Sequence, residues 1–286
     1  MTAVPVSGVR LARISTAARR IDPILATAGV VCALLVLLAI AGPWIAPFPP
    51  NQTDVLAASQ GPSATHLLGT DSIGRDILSR LLAGARLSFL GPGIIVVLST
   101  TLGTLFGIAC AWWGGFVDSM LTKAFNVLFA IPGILMALVA AAVFGAGFWA
   151  AVLSLSLVYV PYVARVIRSA ALQERRRPYV EACQLAGMSG LRICSRHVFG
   201  NVQPVVVAQA TVGFGSALMD FGATSFLGIG VQPPQAEWGL MVSDGRTELL
   251  NGALQQSLSA GALIVLSVVA FNVLGERLSD RTGAGR

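Results

Sequence analysis

The sequence predicts an all-α integral membrane protein with six transmembrane helices and both termini in the cytoplasm. Three observations carry that reading. Hydrophobic residues fill 55% of the 286 positions and charged residues 11%, with a mean hydropathy of +0.77. An ordinary soluble domain is roughly 25% charged, so a soluble enzyme and a disordered tail are both excluded. The few charges leave long gaps between them, and Lys and Arg are unevenly shared between the two sides those gaps define.

A charged residue at the centre of a membrane helix costs about 2.5–3.5 kcal/mol on insertion scales, so charge-free windows mark the spans. Residues 23–53 and 87–117 each run 31 positions without a charge, 124–164 runs 41, 197–219 runs 23 and 249–275 runs 27. One span takes about 20 residues; the 41-residue window therefore folds back on itself, and Gly145-Ala146-Gly147 is the expected hinge. With the N-terminus cytoplasmic, the inner segments hold 15 of the 19 Lys and Arg, and the outer ones only Arg75, Arg80, Arg86 and Arg246. This is the positive-inside bias, and it accounts for the net charge of +6. A nucleic-acid partner would need those charges on one solvated face; the expected partner surface is the lipid bilayer. The predicted layout is a basic cytoplasmic segment at 1–22, a first transmembrane helix at 23–46, an extracytoplasmic loop at 47–86, a five-helix core at 87–276 and a cytoplasmic tail at 277–286.

The first apolar run, from Ile24 to Ile40 and beyond, exceeds the roughly 7–15 residues of a signal-peptide core and reads as an uncleaved helix. In the loop that follows, Asp71/Arg75 and Asp76/Arg80 stand at i,i+4 with Ile73, Ile77, Leu78, Leu81 and Leu82 at helical spacing. That predicts a short amphipathic helix over 70–82 capped by Thr70 or Asp71. It would act as a surface clip or a plug at a pore mouth. The second membrane helix opens at Gly91-Pro92-Gly93 in this reading. It carries Gly103, Gly107, Ala111 and Gly115 at four-residue steps, a small-residue stripe for close packing within the chain or at a subunit boundary.

The third helix is broken at Ile131-Pro132-Gly133, where the proline ring removes a backbone hydrogen bond; such a break lines a cavity more easily than it faces lipid. Asp220 is the one carboxylate within an apolar stretch. It belongs to a translocation path or caps broken backbone near the following glycines. The four cysteines show no ligand-like spacing, and His66 and His197 fall on opposite membrane faces, so no metal site is expected.

The longest inner loop, 165–201, reads as helix, turn, helix. Pro178 opens its second piece, Glu181-Ala182-Cys183 presents small residues, and Gly187 closes it in a left-handed conformation. This suits a knob that docks into a partner's groove, or a basic loop held at anionic headgroups. Glu181-Ala182-Cys183 followed by Gly187 resembles the EAA-loop signature of permease subunits in ATP-binding-cassette (ABC) importers. GTDSIGRDILSRLLAGARLS at 69–88, WWGGFVDSM at 112–120, HVFGNVQP at 197–204 and SFLGIGVQPPQAEWG at 225–239 are similar to the C-type permease of dipeptide and oligopeptide importers. Cys183 stands where a second alanine is usual and Gly200 where the loop's proline is usual.

The resemblance implies a type I importer (MetI-like) permease fold in a bacterial cytoplasmic membrane, with loop 171–199, including Arg192 and His197, as the coupling element. It also implies a similar but non-identical second permease, two cytoplasmic ATP-binding subunits and an extracytoplasmic substrate-binding protein received at 228–252. There Gln232-Pro233-Pro234-Gln235 cannot run as regular helix, and Trp238 suits the membrane–water boundary, as a gate or as a plain connection. The single lysine, Lys123, is followed by Ala124, so no Walker P-loop is present. Hydrolysis, with its ATP and Mg, is therefore expected in partner subunits, and the chain is expected to be non-catalytic and without a cofactor. Di- or oligopeptides are the implied cargo, although similar permeases serve nickel complexes, glutathione or haem. An ion-driven carrier using Asp220 and a non-transporting membrane subunit are the competing readings.

Overall fold

The computed structural model describes residues 23–283, so segment 1–22 and the last three residues lie outside the described part. It is built from helices. The order is α1 (Pro23–Ile45), α2 (Ile77–Trp113), α3 (Gly115–Phe129), α4 (Gly133–Phe144), α5 (Phe148–Arg175), α6 (Pro178–Leu185), α7 (Gly190–Arg192), a π-turn (Ile193–Val198), α8 (Phe199–Phe226), α9 (Trp238–Asp244), α10 (Arg246–Leu250) and α11 (Gln255–Gly283). Five helical stretches are long and apolar enough to cross a membrane; α3 and α4, bent by 83° and counted together, make the sixth. Pro132 supplies the break: its ring excludes an N–H, and its carbonyl accepts from Met136 N as the first bond of α4. The fold-back falls at Gly145, whose φ of +89° is open to glycine, and Gly147 N–H donates to Ile229 O at 3.2 Å.

Two expectations about α2 are corrected. There is no separate amphipathic helix with Thr70 or Asp71 as its cap, and α2 does not open at Gly91-Pro92-Gly93. Asp71 instead turns its carboxylate onto the backbone N–H groups of Ile73 and Arg75, which holds 70–76 as a tight loop closed by a Thr70–Asp76 bridge. Asp76 is the true cap, accepting from Ser79 N at 2.8 Å. From there α2 runs 37 residues straight through a buried Pro92. At 1.5 Å per residue that is about 55 Å, well beyond the roughly 30 Å of hydrocarbon, so the helix extends past the apolar layer.

α2 is the central post. A Cβ on Gly103 would fall 2.6 Å from Val163 Cβ, and one on Gly107 2.8 Å from Ala164 O. These glycines and the buried Ala111 therefore bring α2 onto α5 within the chain. Gly115 leaves the stripe and starts α3. Three apolar clusters follow along the bundle. One gathers α1, α2, α8, α9 and α11 around Phe89 and Trp238, a second α2, α5 and α8 around Ile95, Leu155 and Phe221, and a third the ends of α2, α5, α6 and α8 around Ile167, Val180, Ile193 and Val202. By contrast α3 buries no residue and α4 only Ala137. Ile131 and Pro132 are exposed on this outer face, rather than lining a cavity within the chain.

Candidate functional site

At the end of the bundle bearing α6, Pro178 fixes the first turn. Gly187, at φ +77°, closes the last: its N–H donates to Gln184 O at 3.0 Å and Met188 N–H to Cys183 O at 3.1 Å, the paired bonds of a left-handed helix stop. One face of α6 is anchored. Val180 is buried, with Tyr179, Cys183 and Met188 packed on the same cluster as Ile193 and Val198. The other face, with Glu181, Ala182, Gln184 and Leu185, is exposed, and Leu185 is 89% accessible. Arg192 is exposed at the end of α7; His197 sits half-buried in the π-turn, 6.3 Å from the Tyr179 ring.

Beneath the knob lies Glu174, 1% accessible. It accepts from Tyr179 OH at 3.1 Å, Asn201 Nδ2 at 3.2 Å and Arg177 Nε at 3.1 Å. Burial holds the Tyr179 phenol above its usual range. Arg175 reaches the other way, donating to Ala111 O at 2.7 Å, with its guanidinium over the Trp112 ring. An apolar groove of about 660 Å³ opens beside it, lined by Thr104, Ile108, Trp112, Leu191 and Phe199 among others.

The opposite end is a cage of buried charge. Arg80, 0% accessible, donates to Pro50 O and Asn51 Oδ1 on one loop and to Pro234 O and Gln235 O on another, at 3.2–3.5 Å. Asp71 and Asp244 stand 3.9 Å from it, and Arg75 binds Asp71 at 2.5 Å. Burial pushes the Asp244 carboxyl up against the opposing pull of Arg80 and Arg75. Glu237 caps α9 by accepting from Gly239 N and Leu240 N; burial drives its pKa upward while those N–H groups restrain it. Gln232 donates to Gly228 O and Gly230 O; Pro233 and Pro234 remain exposed.

Trp238 is not a boundary residue: it is wholly buried, donating from Nε1 to Leu81 O at 2.9 Å and meeting Phe89 edge to face. Between the two ends, Asp220 is half-buried on α8 and accepts from Tyr159 OH of α5 at 2.8 Å. The residues of the loop expected to couple thus share one end and the 228–238 segment the other, with Asp220 in neither. Glu174, Asn201, Glu237 and Asp244 were not singled out by sequence spacing.

A bundle of helices long and apolar enough to cross a membrane, with a short exposed helix at one end and a pinned loop at the other, defines a multi-span membrane protein. Residues 103–283 match the family described as binding-protein-dependent transport system inner membrane component, and the chain belongs to that family. Residues 23–62 also match the N-terminal TM domain of oligopeptide transport permease C. The chain is 40% identical to the dipeptide transport system permease protein DppC of Escherichia coli K12, over 89% of this chain and 87% of that one. It is 33% identical to the probable D,D-dipeptide transport system permease protein DdpC of the same strain, over 91% and 87%. It is 38% identical to a putative peptide transport system permease protein of Brucella suis, over 86% and 83%. The fold is shared with the inward-facing MetNI methionine ABC transporter, with a TM-score of 0.57 at 16% identity over 71% of this chain and 95% of that one. The protein is therefore a permease subunit of an ABC importer, seated in the inner membrane and working with ATPase and substrate-binding partners.

Proposed function

We propose that this chain forms half of the translocation path for di- or oligopeptides, completed by a similar, non-identical second permease. Two cytoplasmic ATP-binding subunits seat on α6 and hold the ATP and Mg. The chain is itself non-catalytic, in keeping with a lone Lys123 outside any P-loop. The extracytoplasmic binding protein delivers cargo at 228–252. Closure of the ATPase pair moves loop 171–199, tilts α5 and α8, and switches the cavity between inward-open and outward-open packings. Peptide cargo follows from the names of the relatives.

The observation that supports this reading most is the α6 knob. One face is locked into the core by Val180, the other is bare from Glu181 to Leu185, and Gly187 sets the stop. The test is copurification with candidate ATPase subunits. Glu181→Ala or Gly187→Val is expected to abolish either complex formation or substrate-stimulated hydrolysis. Both being retained would remove the coupling role.

A further inference from the structure

A push on α6 is useful only if it travels. Glu174 lies in the last turn of α5, Tyr179 in the first turn of α6, two residues before Glu181, and Asn201 in the first turn of α8. The three helices meet at one buried carboxylate. Tyr179 OH and Asn201 Nδ2 both donate to Glu174 Oε2, and Asn201 Nδ2 also reaches Tyr179 OH at 3.0 Å. Apolar packing of Val180 against Ile193 and Val198 is non-directional and would let α6 slide. A hydrogen-bonded carboxylate out of water is directional, and a lost partner there is costly.

α8 is the helix that carries Asp220 across the membrane. The contact with α2 at the same end is of another kind. Arg175 meets a single carbonyl, Ala111 O, and a ring face, contacts that survive a rotation of the guanidinium.

From this asymmetry we infer that Glu174, with Tyr179 and Asn201, is a positioning latch that makes α6 and the start of α8 one rigid lever, so that force on the knob tilts α8 instead of bending the loop. The inference rests on the coupling role of α6 set out above. Within the latch Glu174 is the anchor, Tyr179 carries the knob and Asn201 carries α8. Arg177, on the exposed side of the carboxylate, is dispensable for the lever.

The experiment uses the assembled importer in proteoliposomes with a radiolabelled dipeptide, reading uptake and ATP hydrolysis on the same sample. Glu174→Leu and Asn201→Leu are expected to leave hydrolysis within about twofold while uptake per ATP falls about tenfold, the scale of a typical coupling free energy. Glu174→Gln, which keeps an acceptor for both donors, is expected to restore uptake per ATP. Should Glu174→Leu fail to assemble, Tyr179→Phe removes the hydroxyl and keeps the ring, and the same drop is expected. Unchanged uptake per ATP in these variants, or uptake and hydrolysis falling in equal proportion, overturns the latch. Glu181→Ala separates this failure from that of the parent reading: if it also leaves coupling intact, α6 is not the coupling element.

Discussion

The two ends of the bundle handle charge in opposite ways. At the α6 end the guanidinium groups of Arg176, Arg177 and Arg192 are displayed to solvent, and a single buried carboxylate, Glu174 on α5, collects donors from α6 and α8. At the α9 end the charges themselves are interred: Arg80, Asp71 and Glu237 are each 2% accessible or less, and Arg80 is tied to loops far away in sequence. A displayed helix on one anchor can be moved as a piece. A cage that binds the 50–51 and 234–235 loops to α2 through one guanidinium resists movement. On the coupling role proposed for α6, the difference separates a part that receives force from one that holds a shape.

The sharpest way to break that contrast is Arg80→Ala. It leaves Arg75 as the remaining cation bridging Asp71 and Asp244 and frees two loops. Removing one partner of a buried ion pair costs roughly 3–5 kcal/mol. The variant is expected to show a large fall in thermal midpoint in detergent, or failure to accumulate. A change as small as that of a surface substitution would mean that the cage is held without Arg80, by the Arg75 ion pairs and the apolar packing around Trp238.

The acid response sharpens the same point. Glu237 and Asp244 both have pKa values raised by burial. In the folded protein they hold a proton up to higher pH than in the unfolded chain. Their contribution is thus fully present below the unfolded carboxylate range and is lost as pH rises through the raised folded values. Thermal midpoint against pH, from about 4 upward where unfolded carboxylates titrate, is expected to carry this falling component. Glu237→Gln is expected to flatten it, whatever its overall cost. An unchanged slope would remove Glu237 from the buried cage.

Much of this architecture is legible in local spacing. Charge gaps locate the spans; Gly145 marks a turn because glycine takes the positive φ that other residues resist, and Pro132 marks a break because its ring removes an N–H. The start of α2 is not legible. Asp71 four residues before Arg75 scores as a helical pair, yet the same carboxylate bonds better to the N–H groups of Ile73 and Arg75 in a turn, and spacing alone does not choose between them. Arg80 reads as the i,i+4 partner of Asp76 on a short helix, because its actual acceptors lie 29–30 and 154–155 positions away. Glu174 is hidden by its company: before Arg175, Arg176 and Arg177 it looks like one more charge in a solvated run. Trp238 follows the general preference of tryptophan for the interface until the Leu81 carbonyl and the Phe89 edge claim it.

The smallest expected effect on stability tests the displayed end most cleanly. Leu185 is 89% accessible at the tip of α6 and belongs to no buried cluster, so the fold gains almost nothing from its side chain. Leu185→Ala, which also favours helix, is expected to shift stability by no more than about 0.5 kcal/mol, against the several kcal/mol assigned to Arg80. Its effect should fall on docking instead: an exposed leucine beside Glu181 is the natural apolar contact for a partner groove. Copurified ATPase subunits should drop while the thermal midpoint of the isolated chain stays in place. A falling midpoint with undiminished docking would reverse the assignment, making α6 a packed clip and leaving the force-receiving part to be sought on the bare faces of α3 and α4.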